Sequence, residues 1–333
     1  MGSQLPLLRP LRDACVARGH AARRPSWLLI CLKSRAILSA QRGCRLGRVE
    51  EVTASPTEGP VMRRRPLLTA VLALAAGTAA VTAVPSPAVA ASWAPSATAQ
   101  VHPGVQTYTA GAQCTANFVF TDGTSTYLGQ AAHCSGTGGS TATNGCNTGS
   151  LPLGTTVEVA GFEGTMVYNS WLAMQAAGET GADTCAYNDF ALIKLPAAAV
   201  ATTNPSVPVY GGPVGLGAGT TVGENVYSYG NSSLRFGITL FSPKRGMSLG
   251  DTGGGWSTTV YTATPGIPGD SGSGFLDSTG RAFGTLSTVA LAPLTGSNGV
   301  GNLAKELAYA QAHGFPGLSL VPGTEAFDPG ALL

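Results

Sequence analysis

Between Pro265 and Phe275 the sequence reads PGIPGDSGSGF, one acid and two serines among residues that bend the chain. A serine hydroxyl is a poor nucleophile at neutral pH and attacks only with a base beside it and donors for the oxyanion that forms. Ser271 stands directly behind Gly269-Asp270 and ahead of Gly272. A turn at Gly269 without a Cβ clash would aim the N–H groups of Gly269 and Ser271 at one point, as an oxyanion hole requires. Alone, the stretch reads equally well as a surface turn, because Pro, Gly, Asp and Ser are the commonest turn residues.

A base must come from four histidines, His20, His102, His133 and His313. His20 belongs to an arginine-rich leader, His102 to an N-terminal arm and His313 to a terminal helical pattern. His133 differs, because it ends a strand-like run in GQAAHC and is followed by a cysteine that could fix its loop covalently. The imidazole in turn needs a carboxylate to hold its tautomer and stabilise its charged form. Asp189, in YNDFALIKL, stands at the mouth of an apolar strand, where an acid is costly to bury unless paired. Asp183 is the weaker alternative.

The elements that would carry these residues are short and β-rich. TANFVF (115–120) and TYLGQA (126–131) flank Asp122-Gly123 as a hairpin, and TTVEVAGF, TMVYNS and FALIKL follow. A connector rich in Pro, Ala and Gly, PAAAVATTNPSVPVYGGPVG, separates this half from a second one with runs at TTVGENVYSYG, WSTTVYTAT, SGFLD and RAFGTLSTV. SPKRGMSLGDTGGG, within the second half, reads as a long turn-rich loop. GNLAKELAYAQAH places Leu303, Leu307 and Ala310 at helical spacing and predicts a C-terminal helix. The resulting expectation is an all-β fold of two similar halves, residues 101–205 and 206–320, with a tail at 321–333.

Charge divides the 333 residues sharply, with a net +9 over residues 1–90 and −7 over 91–333. The acidic part has six scattered basic residues and no electrostatic footprint for nucleic acid. From Met62, a basic start, an apolar run from Leu67 to about Val84 and Ala88-Val89-Ala90 read as a secretory signal peptide over 62–90, with no stop-transfer cluster behind it. The 61 residues ahead of it read as an extension outside the fold or a start assigned too far upstream, and 91–100 as a short linker. The expected protein is thus secreted, extracellular and free of stable membrane association once the signal is removed. Of the seven cysteines, Cys114, Cys134, Cys146 and Cys185 follow the leader. Of the three pairings open to them, Cys114–Cys134 and Cys146–Cys185 close short loops without nesting, each contributing about 2–4 kcal/mol in an exported chain. Nothing in the residues implies a metal or an organic cofactor.

Taken together and in this order, AAHC (131–134), NDFALIKL (188–195) and GDSG (269–272) resemble the trypsin/chymotrypsin-like serine peptidase family, in its bacterial secreted form. The resemblance spans about Val101 to His313. It implies two antiparallel β-barrels, with His133 as general base and Asp189 as its orienting partner on the first. Ser271 would be the nucleophile on the second, with Gly269 and Ser271 as oxyanion donors. It also implies a monomeric endopeptidase acting on polypeptides through an acyl-enzyme, and Cys114–Cys134 as the bridge around the histidine loop. FGTLSTVA (283–290) is similar to the family's pocket-lining strand, with Ser287 as the substrate-binding serine. The chain departs from the pattern in having Ser273 where a second glycine is usual and Pro265 where trypsins carry a basic-selective aspartate, which disfavours cleavage after Lys or Arg. It also lacks an IVGG start near Val101. The cation paired with Asp270 is then Arg235, Lys244 or Arg245. A non-catalytic binding protein on the same scaffold and a serine esterase are the alternatives.

Overall fold

The computed structural model describes residues 92–331, apart from Ser140 and residues 291–293. The expected signal peptide, the 61-residue extension and the cysteines within it lie outside the described residues. No helix among the described residues is long and apolar enough to cross a membrane.

Fourteen strands can be followed along the described chain. The first sheet is built from β1 (Gln106–Thr109), β2 (Ala112–Thr115), β3 (Val119–Thr121), β4 (Thr126–Gln130), β5 (Thr156–Val159), β6 (Phe162–Asn169), β7 (Ala191–Lys194) and β14 (Ser319–Leu320). They run antiparallel in the order β14-β3-β4-β7-β6-β5-β1-β2. The second unit is a closed six-stranded barrel of β8 (Asn225–Tyr229), β9 (Pro243–Thr252), β10 (Ser257–Thr262), β11 (Gly274–Leu276), β12 (Ala282–Ala290) and β13 (Ser297–Asn302), in the order β10-β13-β12-β11-β8-β9. The fold is the expected all-β one, with an eight-stranded sheet, a closed barrel and a C-terminal helix.

Local chemistry accounts for several of these strands. β5 alternates, with Val157 and Val159 buried and Thr156 and Glu158 exposed, as a one-sided strand must. In β7, Ala191, Leu192 and Ile193 are all buried because both faces are covered. The β3–β4 turn is fixed by Asp122, whose Oδ1 accepts from the N–H groups of Thr124 and Ser125 at 2.8 and 2.7 Å.

One sequence reading is corrected here. SPKRGMSLGDTGGG is not a loop: residues 243–252 form β9, which pairs with both β8 and β10. Gly246, which reads as a loop residue, is where β9 meets β10 so closely that a Cβ would strike the Tyr261 carbonyl. Its cationic neighbour Lys244 is wholly buried. Two helices that the strand reading passed over, α1 (Ser170–Ala177) and α2 (Ala182–Tyr187), lie between β6 and β7. Asn169 caps α1 by accepting from Trp171 N at 2.9 Å, and Gly178, at φ 65°, ends it. The connector holds only the single-turn α3 (Ala197–Val200).

The expected C-terminal helix is α4 (Leu303–Ala312). Leu303, Leu307 and Ala310 enter a core shared by Phe118, Phe120 and Phe190 of the sheet side and Tyr227 and Leu276 of the barrel. At roughly 1.5–3 kcal/mol for each large apolar side chain buried, this shared core ties the barrel to the sheet across the interval where the site forms. β14, beyond α4, returns to the first sheet and pairs with β3.

Candidate active site

His133 lies in a single helical turn, Ala132–Ser135, directly after β4. The Cys114–Cys134 disulfide anchors that turn to β2, and Cys146–Cys185 joins the following loop to α2. Both bridges follow the expected pairing. Cys114, His133 and Cys134 bring their ligand atoms within 4.8 Å of one another, but both sulfurs are spent in the disulfide, so the group offers no thiolate to a metal.

Asp189 sits in the two-residue link between Asn188 and β7. Ser170 fixes that link, its hydroxyl donating to Asn188 O at 2.8 Å and accepting from Phe190 N at 3.0 Å. The Asp189 carboxylate is almost fully buried and takes three donors. Its Oδ1 accepts from the His133 N–H at 2.8 Å, and its Oδ2 from the His133 ring Nδ1–H at 2.6 Å and the Ser287 hydroxyl at 2.5 Å. A carboxylate only accepts, so Nδ1 carries the proton and Nε2 presents a lone pair. Burial of the ring opposes its charge, but the Asp189 carboxylate's charge and hydrogen bond outweigh this and raise the imidazole above its ordinary value. Burial likewise favours neutral Asp189, yet His133 and Ser287 together hold it below the usual carboxylate range.

Ser271 occupies the turn between β10 and β11. The first sheet grips this turn: Thr115 N donates to Ser271 O at 2.8 Å, and Thr115 Oγ1 and Gln113 Nε2 donate to Gly269 O at 2.7 and 3.0 Å. Gly269 has φ +95°, and a Cβ there would strike Gln113, so glycine is required. Among the described residues no group accepts from the backbone N–H of Gly269 or of Ser271. Ser273 is buried and donates to Asp270 O at 2.6 Å, so the serine in place of a second glycine braces the turn. His133, Asp189, Gly269, Ser271 and Ser287 all line one cleft of about 570 Å³, with Leu286 and Val289 as apolar wall. Among the described residues the Ser271 hydroxyl is not hydrogen-bonded to the imidazole; such bonds are often long without substrate and tighten when it binds.

The other sequence candidates fall elsewhere. His102 bonds Pro103 O through Nδ1 at 2.7 Å, and His313 stacks on Tyr309 at 4.0 Å. Asp183 stands in the first turn of α2, beside Gly254. The question of the Asp270 cation resolves to two groups. Arg235 Nη2 and Lys244 Nζ reach Asp270 Oδ2 at 2.6 and 2.9 Å, while Arg245 lies over the Tyr227 ring at 5.8 Å. Burial lowers the Lys244 ammonium, with Asp270 opposing. Because both cations are buried against one carboxylate, Asp270→Asn is expected to cost about 3–5 kcal/mol, the scale of an abandoned buried charge. Urea unfolding at constant m would measure it, and a loss below about 1 kcal/mol would show the cluster to be slack.

Sequence reasoning missed Gln113 and Thr115, which no motif marks, and Glu306. The last had a signal: on a helix with Leu303, Leu307 and Ala310 inward, position 306 falls on the same stripe.

No protein-family model and no curated protein matches the chain. Among solved structures it is similar to Thermobifida fusca Protease A, at 19% identity and TM-score 0.45, over 67% of this chain and 99% of that one. Nocardiopsis protease aligns at 15% identity and TM-score 0.43, over 66% and 98%. A glutamic-acid-specific serine protease aligns at 18% and TM-score 0.42, over 66% and 100%.

Proposed function

We propose that the chain is a secreted serine endopeptidase that cleaves polypeptides through an acyl-enzyme. The single observation that carries this reading is the buried Asp189 carboxylate, which fixes the His133 ring and its tautomer at the wall of the cleft that Ser271 shares. His133 Nε2 takes the Ser271 proton as the hydroxyl attacks the substrate carbonyl, and later delivers it to the leaving amine. The free N–H groups of Gly269 and Ser271 receive the oxyanion. Water then repeats the sequence on the acyl-enzyme and releases the acid.

Selectivity against Lys and Arg side chains has a physical ground. Asp189 is the one carboxylate among the described residues lining the cleft and is already committed to His133 and Ser287, and Pro265 stands where a basic-selective acid would be, so a cationic side chain finds no partner there. The two disulfides support an extracellular site of action. A fluorophosphonate probe tests the chemistry by labelling Ser271 in the folded protein, and absence of label would favour the binding-protein alternative. Digestion of a peptide library separates an endopeptidase, which leaves a repeatable preference beside the cut, from an esterase, which leaves the library intact.

The pH profile has a definite sign. Protonated His133 cannot accept the serine proton, so activity falls with acid, and the carboxylate beside it moves the midpoint above the ~6.5 of a free imidazole. Stopped kcat/KM measurements across the acid range would check this, and a midpoint below the free value would contradict the ion pair.

A further inference from the structure

We propose that Glu306 is a positioning residue for this site: from beneath the cleft it holds the Asp189 backbone in register with His133 by bracing it against Thr285 of β12. The inference rests on the peptidase reading of His133, Asp189 and Ser271.

Glu306 is completely buried on α4. Its Oε1 accepts from the Asp189 N–H at 3.3 Å, and its Oε2 pairs with Thr285 Oγ1 at 2.9 Å. Thr285 lies on β12, two residues before Ser287, whose hydroxyl holds the Asp189 carboxylate. One carboxyl group therefore braces both segments that frame Asp189. Gly301 makes room for it, since a Cβ there would collide with Oε1.

The groups facing Glu306 are all neutral or negative: Asp189 ahead of β7, Thr285 on β12 and Tyr168 on β6, with His133 beyond Asp189, and Tyr309, itself beside Glu179, beyond Tyr168. Among the described residues no cation is paired with it. Burial pushes its carboxyl up to about 8; the Thr285 hydroxyl opposes this and the Asp189 charge adds to it. Burial also pushes the Tyr168 and Tyr309 phenols up, so both stay neutral where Glu306 titrates. Below that point Glu306 is protonated and compatible with the anionic Asp189. Above it, a second buried negative charge repels Asp189 and disturbs the link that aims the imidazole. The same sign governs folding: stability is fully present below the ordinary glutamate value of ~4.3 and is lost as pH rises through the folded value.

The test uses the full folded chain with carboxyl-labelled glutamate, together with Glu306→Gln and Glu306→Leu. In the wild type, the Glu306 carboxyl carbon should titrate near 8, and kcat should fall through the same range. In Glu306→Gln the alkaline limb should vanish, so that its kcat at about pH 9 exceeds the wild type's by about tenfold, one pH unit past the midpoint. Glu306→Leu should lose about tenfold in kcat with KM little changed, because the Asp189 N–H is left without an acceptor that Gln restores. A limb that persists in Glu306→Gln, or a wild-type carboxyl titrating near ~4.3, overturns the proposal, and the second result needs no variant to fold. If the wild type turns over no substrate, the peptidase reading fails by itself. The coupling is then decided by the His133 ring nitrogen shifts, which should step near 8 in the wild type and not in Glu306→Gln.

Discussion

Ser271→Ala is expected to lower kcat by about 10⁶, to the level that binding and the oxyanion donors alone supply. The substitution removes a single oxygen and leaves the turn intact. Ser271 holds its place through its backbone, with its carbonyl accepting from Thr115 N at 2.8 Å, and the next residue is held by Gly272 N donating to Leu286 O at 2.7 Å. The Asp270 cluster behind it and the Ser273 brace involve none of the lost atoms. Stability should therefore change little while chemistry collapses, and that separation is the diagnostic. Active-site titration with thermal unfolding of both proteins reads it directly. A variant that keeps more than about a hundredth of the activity would mean that another group attacks, because nothing short of a different nucleophile spares four of the six decades.

The site was legible in the sequence where its chemistry is local. His133, Asp189 and Ser271 each stand at the end of a strand-like run, and the nearby cysteines announce how the histidine turn is held. Strand periodicity likewise found most of the sheet and the inward face of α4. What escaped depends on contacts between distant segments. β9 is written in Pro, Lys, Arg and Gly, and only pairing with β8 and β10 on both sides makes it a strand. The Asp270 partner could not be chosen from sequence because two cations, nine residues apart on different elements, converge on one carboxylate. Gln113 and Thr115 are ordinary strand residues until the barrel's serine turn is laid across them. Glu306 is the instructive case, since helical spacing placed a charge on a buried face and a buried charge asks for a partner.

Asp189→Asn is the second large effect, an expected loss of about 10⁴ in kcat, and its origin is a count of donors. The native carboxylate accepts from three groups: the His133 N–H on Oδ1, and Nδ1–H and the Ser287 hydroxyl on Oδ2. An asparagine has one oxygen and one NH₂ for the same positions. With its oxygen at the Oδ2 place, the NH₂ faces the His133 N–H, donor against donor, in a buried site. With its oxygen at the Oδ1 place, the backbone bond survives and the NH₂ can donate to Nδ1 and to the Ser287 oxygen, both of which can accept. The second arrangement satisfies every group and wins, but it requires Nδ1 to give up its proton. That proton moves to Nε2, where the lone pair for Ser271 had been, so the base is correctly placed in the wrong tautomer. Nitrogen chemical shifts of the His133 ring should show the exchange, and adding Ser271→Ala to this variant should cost little beyond Ser271→Ala alone, since the two act as one unit. Retention of activity within tenfold of the wild type would remove Asp189 from the mechanism and leave it a structural acid beneath the cleft.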